Sequence, residues 1–376
     1  MPKILSQIKS SAGKALISAL SNVHDSRIKA NSKRVAAKQI REASANFSQW
    51  QKLTKEQKAE IAAYWNIKNP KEYVYFTHEI MLNVKGEFDV RYCPHVTFRM
   101  YLDDSEELWP WIDKNYFERH QPSLKYPHAY VRNVNGYLLD NGYNRITQEE
   151  AEQIICANLP VIIKPTIDSG EGKNLRLIST PGEAKDIFTN YTKDYIVQKV
   201  IVQCDELKKM GNNSVNSFRV ITALVDGKAK VLSSHLLCNT TDSIAVNTNT
   251  APGVGVVIVK VDEDGVLADY GFYENAQRIE QLPNGFKFGG LKIPSFKEAV
   301  EQLLKCHESM PMLEFVGWDI TIDEGGELVV IEWNQRFIEV YHSQLTNGPL
   351  FGEDTEYFVG VLKDIMKNRK QVRVLR

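Results

Sequence analysis

Gly317-Trp318-Asp319 and Ile331-Glu332-Trp333-Asn334, joined through Asp323-Glu324-Gly325-Gly326, are the stretch on which the reading of this chain turns. Val316 to Ile322 and Leu328 to Ile331 are rich in β-branched residues, and the paired glycines predict a hairpin between them. Side chains two apart share a face of a strand, so Glu332 and Asn334 are expected on one side of the second strand, with Asp319 on the first. Two carboxylates within about 4 Å repel by roughly 4 kcal/mol at an effective dielectric of about 20. A proton or a cation between them relieves that cost. Oxygen-only donors suit Mg²⁺, which takes one or two carboxylates together with substrate phosphates. An acidic hairpin at the surface accounts for the same residues, so the neighbouring segments have to decide.

Working outward, the 376 residues suffice for two or three domains and a substantial core. Apolar content of 43% and charged content of 25% are those of a globular chain. A net charge of −1 gives no global attraction to nucleic acid or to an acidic membrane. Cys93, Cys156, Cys204, Cys238 and Cys306 are odd in number and widely spaced, which points to neither a zinc site nor a disulfide framework. A reducing cytoplasm is the expected compartment. No apolar run approaches the roughly 18 residues of a membrane span, and the first residues lack a signal-peptide core.

The charge is uneven. Nine basic residues between Met1 and Arg41 (Lys3, Lys9, Lys14, Arg27, Lys29, Lys33, Arg34, Lys38, Arg41) stand against Asp25 alone. Ile4, Leu5, Ile8, Ala12, Leu16, Ala19 and Leu20 recur at helical spacing. A basic amphipathic helix of this kind can lie on the inner face of an anionic membrane, or pack on its own domain with a solvated basic face.

Thr54 with Gln57 three residues on predicts a capped helix from Leu53 to Asn66. Residues 70 to 118 read as a packed accessory region. Strands are expected at His128 to Val134, Tyr137 to Leu139, Pro160 to Lys164, Tyr195 to Val202, Phe218 to Leu224 and Lys230 to Leu236. Helices are expected at Gln148 to Cys156, Pro181 to Thr189, Ser295 to His307 and Thr355 to Lys367. The order is α+β with antiparallel hairpins, without regular βαβ alternation.

Val161-Ile162-Ile163-Lys164-Pro165 ends an apolar strand in a lysine, and Asp168-Ser169-Gly170-Glu171-Gly172-Lys173 follows closely. Gly170 and Gly172 permit the close backbone approach of a phosphate loop. Lys164 would give charge-assisted hydrogen bonds of about 1.5–3 kcal/mol each. Neither a Walker spacing nor G-x-G-x-x-G is present, and a simple hairpin also explains the glycines. Tyr195-Ile196-Val197-Gln198-Lys199-Val200-Ile201 reads either as an adenine slot or as an ordinary core strand.

A lysine strand, a glycine loop, a hinge strand and an acidic hairpin ending in Glu-x-Asn together resemble the ATP-grasp superfamily, and more closely its sugar-transfer-associated family from surface-polysaccharide gene clusters. The resemblance runs from Tyr92 to Phe358 and rests on Ile112 to Phe117, Val161 to Leu175, Ser214 to Val220 and Val316 to Asn334. It implies an α+β ATP-grasp fold, two lobes clasping ATP, with a helical N-terminal extension. The expected divisions are 1–110, 111–196 for the first lobe and 197–370 for the second. By resemblance, Lys114 and Lys164 are the two ATP lysines, and Ser169, Gly170, Gly172 and Lys173 belong to the phosphate lid. Gln198 takes the adenine position with Lys199 and Ile201 lending backbone groups, and Asp205 or Glu206 takes the ribose position. Arg219 faces the phosphates or acyl-phosphate oxygens and, with Lys164, forms the catalytic pair. Asp319, Glu332 and Asn334 are the Mg²⁺ ligands. Two departures stand out: Leu237 replaces an expected arginine near the end of its strand, with His235 or Arg336 as substitutes, and Pro252-Gly253 replaces a Gly-Gly after Asn247.

The resemblance implies an ATP- and Mg²⁺-dependent carboxylate-amine ligase working through an acyl phosphate. One substrate would be a sugar-linked carboxylate such as a uronic acid, free or lipid-linked, and the other an amino acid or amine. A non-catalytic nucleotide-binding partner of a glycosyltransferase and a sugar kinase are the competing expectations. Tyr341, His342 and Gln344, just past the acidic hairpin, are candidates for substrate contacts.

Overall fold

The structure, a computed structural model, describes residues 11–102, 111–167, 174–211, 214–240, 255–335 and 338–372. The chain forms two compact units, one of Met1–Glu107 with Glu339–Arg376 and the other of Leu108–Ile338.

The first unit is helical among its described residues. A helix spans Ser11–Ser44, and Ser32, Ala36, Gln39 and Ala43 recur at helical spacing as its buried stripe against the Phe76–Lys85 helix and its neighbours. The expected amphipathic segment from Ile4 lies in part outside the described residues. The Lys55–Tyr64 helix begins in the predicted capping box, with Gln57 N–H donating to Thr54 Oγ1 at 3.2 Å and Thr54 N–H to Gln57 Oε1 at 2.9 Å. Helices Tyr341–Asn347 and Thr355–Val372 complete this unit. Buried Gln344 accepts from Cys93 N–H at 2.6 Å and donates to Cys93 O at 3.0 Å. Tyr341, His342 and Gln344 are all buried here.

The second unit holds two sheets. The first contains β1 (Ala129–Val134), β2 (Tyr137–Leu139), β3 (Val161–Pro165), β4 (Arg176–Ile178) and β5 (Tyr195–Lys199), antiparallel in the order β2-β1-β5-β3-β4. Helices Gln148–Ala157 and Pro181–Asn190 start in capping boxes, Thr147 with Glu150 and Thr180 with Glu183. They cover one face, where Val131, Ile155, Val161, Ile163, Ile187 and Val197 form a core. The cross-strand rows Arg132–Ile196–Lys164 and Ala129–Gln198–Ile162 take the opposite face. The division expected at 196/197 runs through β5, all of which belongs to this sheet.

The second sheet contains β6 (Ser217–Val225), β7 (Lys228–Asn239), β8 (Val256–Val261), β9 (Leu267–Tyr273), β10 (Arg278–Ile279), β11 (Phe315–Ile322) and β12 (Leu328–Asn334). Its order is β10-β9-β8-β7-β6-β11-β12, again antiparallel. Phe218, Val220, Leu236, Trp318, Ile320, Val330 and Trp333 share a core with the Phe296–Glu308 helix. Between the sheets, Gln203 fixes the connection by donating to Thr321 Oγ1 and Asn216 O, both at 2.6 Å.

Strand β12 is not regular. Ile320 pairs with Val330, but Asp319 pairs with Glu332, leaving Ile331 as an extra residue. Such a bulge reverses the inward and outward alternation beyond it. Leu328 and Val330 enter the core before it and Trp333 after it, so Glu332 and Asn334 emerge on the other face.

Candidate active site

The face of the second sheet opposite the core carries a row of direct cross-strand partners, Lys260–His235–Arg219–Asp319–Glu332. Direct partners project to the same side. Arg219 holds Asp319 in a fork, Nε to Oδ1 at 2.6 Å and Nη2 to Oδ2 at 2.9 Å. Asn334, two residues past Glu332, donates from Nδ2 to Asp319 Oδ2 at 3.1 Å.

Both expected lysines reach this row. Lys114 Nζ lies 3.1 Å from Glu332 Oε2. Lys164, projecting from β3 on the face of the first sheet opposite the Gln148–Ala157 and Pro181–Asn190 helices, donates from Nζ to Ile331 O at 3.2 Å. That acceptor is the carbonyl of the bulged residue. Lys114, Lys164, Arg219, Asp319, Glu332 and Asn334 therefore converge within the second unit, as the sequence reading requires.

The Lys114 segment is held by groups to which the motif reading gave no role. Asp113 Oδ1 accepts from Asn115 N–H at 3.0 Å and caps a single 3₁₀ turn, Lys114–Tyr116. The Lys114 N–H donates to Thr166 O at 3.3 Å, and Asn115 Nδ2 donates to Asn133 O at 3.0 Å and Thr166 Oγ1 at 3.2 Å. Arg132 Nη1 and Tyr143 Oη each donate to Asn115 O at 2.7 Å. The local signal was Asp113-x-Asn115, an Asx turn. Arg132 and Tyr143 are distant in sequence and carried none.

Burial pushes the Lys164 ammonium down to about 8, with Lys114 adding repulsion and Glu332 and Asp319 opposing both. Glu332 shows the reverse balance: burial favours its neutral form, yet Lys114 and Lys164 hold its carboxyl below the usual range. For Asp319, burial and the neighbouring Glu332 raise the carboxyl, and the Arg219 fork opposes them.

Gln198, Lys199, Ile201 and Asp205 are not members of this row. Gln198 shares the Lys164 face of the first sheet, but its Nε2 donates to Pro127 O at 3.1 Å. Lys199 is exposed, and its N–H donates to His128 O at 2.8 Å, so that amide is already engaged. Ile201 lies in the connection after β5, half-buried. Asp205 opens the Asp205–Lys208 turn, highly exposed, with Lys208 Nζ 3.1 Å from its Oδ1. Ser169, Gly170, Gly172 and Lys173 lie outside the described residues, as do Arg336, Asn247 and Pro252-Gly253. His235 is buried beside Arg219, and Leu237 projects on the same face one row further along β7, paired with Ser217.

The donor set fits a hard divalent cation: two carboxylates and an amide, with water or phosphate left to complete the shell. Among the described residues no group of three or more His, Cys, Asp or Glu side chains could hold a metal ion. Asn334 turns its nitrogen toward Asp319 Oδ2 and, at 3.4 Å, toward Gly317 O, both acceptors. Asp319, Glu332 and Asn334 would hold such a cation, which would supply charge neutralisation to bound phosphate.

The fold is α+β, with two antiparallel sheets and this row on one of them. A sequence model described as sugar-transfer associated ATP-grasp matches residues 179–356, a segment that includes Gln198, Arg219, Asp319, Glu332 and Asn334. Lys114 and Lys164 precede it. No curated protein matches the chain. Among solved structures, the biotin carboxylase domain of the Hydrogenobacter thermophilus 2-oxoglutarate carboxylase, in complex with MgADP, ADP and bicarbonate, is 15% identical with a TM-score of 0.39, over 67% of this chain and 45% of that one. The ATP-grasp ligase PsnB, complexed with minimal precursor, Mg and ADP, is 13% identical with a TM-score of 0.38, over 69% and 61%. A Campylobacter jejuni biotin carboxylase in an ATP-type complex is 11% identical with a TM-score of 0.39, over 67% and 46%. The chain thus spans about half the length of the first of these structures. Likenesses at this level carry no weight for its activity.

Proposed function

We propose that the chain is an ATP-dependent carboxylate-amine ligase that binds nucleotide at the Lys114–Lys164–Arg219 cluster. The observation that carries this reading is the meeting of three cationic side chains with Asp319 and Glu332 in one row, the cations outnumbering the carboxylates. A site with excess positive charge suits a triphosphate, and the acidic pair suits the cation that accompanies it. Mg²⁺, when bound, would neutralise charge on the phosphates.

The protein's own groups position and stabilise charge. Lys114 and Lys164 would leave their present acceptors for phosphate oxygens. Arg219, anchored by Asp319, would face the oxygens of the transferred phosphoryl group. The acceptor carboxylate attacks the γ-phosphorus, ADP departs, and an acyl phosphate forms. An amine then attacks the acyl carbon, phosphate leaves and an amide results. Lys164, held to about 8 in the free site, keeps its proton once phosphate binds and meets the developing charge as a cation. The family description supports a sugar-linked carboxylate, free or lipid-linked, as one substrate and an amino acid or amine as the other.

A phosphate-release screen of carboxylate and amine pairs, uronic acids included, tests the proposal. Release is expected only when both substrates are present, and Glu332→Gln is expected to abolish it. Release at the wild-type rate in Glu332→Gln would reject the assignment. Leu237, apolar on the site face, favours a second reading, a nucleotide-binding partner without turnover. That reading expects no phosphate release from any pair and nucleotide binding that persists in Glu332→Gln.

A further inference from the structure

The helix Ser11–Ser44 presents two opposed stripes over its second half. Ser32, Ala36, Gln39 and Ala43 are buried, none more than 5% exposed. At about 100° per residue, Arg27, Arg34, Lys38 and Arg41 fall within about 60° of one another, and their stripe lies about 160° round the axis from the buried one. Arg27, Arg34 and Arg41 are exposed and Lys38 is half-buried. Arg34 Nη2 donates to Asn31 Oδ1 at 3.1 Å, and Arg41 Nη2 lies 3.5 Å from Glu42 Oε1. With Lys29 and Lys33, also exposed, residues 27–41 carry six basic side chains and no acidic one. Since the whole chain has a net charge of −1, the remainder carries −7.

We infer that this stripe is a docking surface for a bilayer containing anionic phospholipid. A straight, convex line of cations about 21 Å long meets a plane of headgroups along its whole length. The rest of the chain has the opposite net sign, so the attraction is local to this stripe. No aromatic side chain interrupts the stripe to stack on a base, so single-stranded nucleic acid fits it less well. The buried face already packs within its own unit, so contact is electrostatic at the headgroups. This surface does not depend on the ligase reading.

Co-sedimentation of the full chain with vesicles tests the inference. Phosphatidylcholine vesicles with a third of phosphatidylglycerol are expected to bind it at about 0.1 M salt and release it at about 0.5 M, while pure phosphatidylcholine does not bind. The combined Arg27→Gln, Arg34→Gln, Lys38→Gln and Arg41→Gln variant is expected to lose about tenfold or more in partitioning, with unchanged circular dichroism and melting. If that variant fails to fold, the paired variants Arg27→Gln/Arg34→Gln and Lys38→Gln/Arg41→Gln are each expected to lose several-fold. Lys228→Gln/Lys230→Gln, on the second unit, is expected to partition like the parent. Absence of binding, equal binding to neutral vesicles, indifference to these stripe substitutions, or tighter binding to duplex DNA or single-stranded RNA at the same salt would each overturn it.

Discussion

Lys164 sits where its charge is least comfortable, and that discomfort is measurable. Its ammonium titrates at about 8 in the fold, against 10.5 as the ordinary value. Between those pH values the unfolded chain holds a proton that the folded one has released, so stability rises with pH across the window. Urea unfolding of the parent relative to Lys164→Met is expected to gain up to about 3 kcal/mol from pH 8 to 10.5, and a flat difference would contradict the burial argument. Nucleotide phosphates should restore the charge. Calorimetry at pH 8 to 9 with a non-hydrolysable ATP analogue and Mg²⁺ is therefore expected to show proton uptake, read as a heat that changes with buffer ionisation enthalpy and disappears in Lys164→Met. The Arg219–Asp319 fork gives a second expectation. Asp319→Asn strands the guanidinium but removes the repulsion with Glu332, for a net loss of about 2 kcal/mol by denaturant unfolding.

At the scale of elements, the bulge at Ile331 decides which way the acidic strand faces. Deleting Ile331 removes the bulge while plain alternation still sends Glu332 away from Val330 and keeps Trp333 in the core, so the change is confined to the carbonyl that accepts from Lys164 Nζ. A folded deletion variant is expected to keep nucleotide affinity near the parental value, and loss of binding there, measured by calorimetry, would show that the bulge does more than set the facing of Glu332. This is also where the sequence was least readable. Leu328, Val330 and Glu332 are spaced by two, so alternation alone puts the carboxylate with the core residues. Nothing about Ile331 as a residue type announces an insertion, because register is settled by the partner strand. The hairpin glycines and the box at Thr54 were readable because their signals are local. Thr180→Ala is expected to cost about 1 kcal/mol in thermal or denaturant unfolding. The Lys199 amide, taken by His128 O, depends on a pairing that a motif cannot report.

For the molecule as a whole, every described candidate for phosphate and metal lies within residues 108–338. A ligand at about a hundred times its dissociation constant adds about 2.7 kcal/mol to the part that binds it. The transition of the second unit is expected to move upward with ATP analogue and Mg²⁺ in calorimetric scans while that of the first stays in place, and equal shifts of both would argue for a single cooperative body.

Cys93 and Gln344 clasp each other by two hydrogen bonds although 251 residues separate them in the chain. On the ribosome, the first of these emerges long before the second has been made, and residues 108–338 are translated in between. The early helices must wait with their shared interior uncovered until Glu339–Arg376 arrives. A nascent chain arrested before residue 339 should therefore bind chaperones and hydrophobic dyes that the released protein ignores.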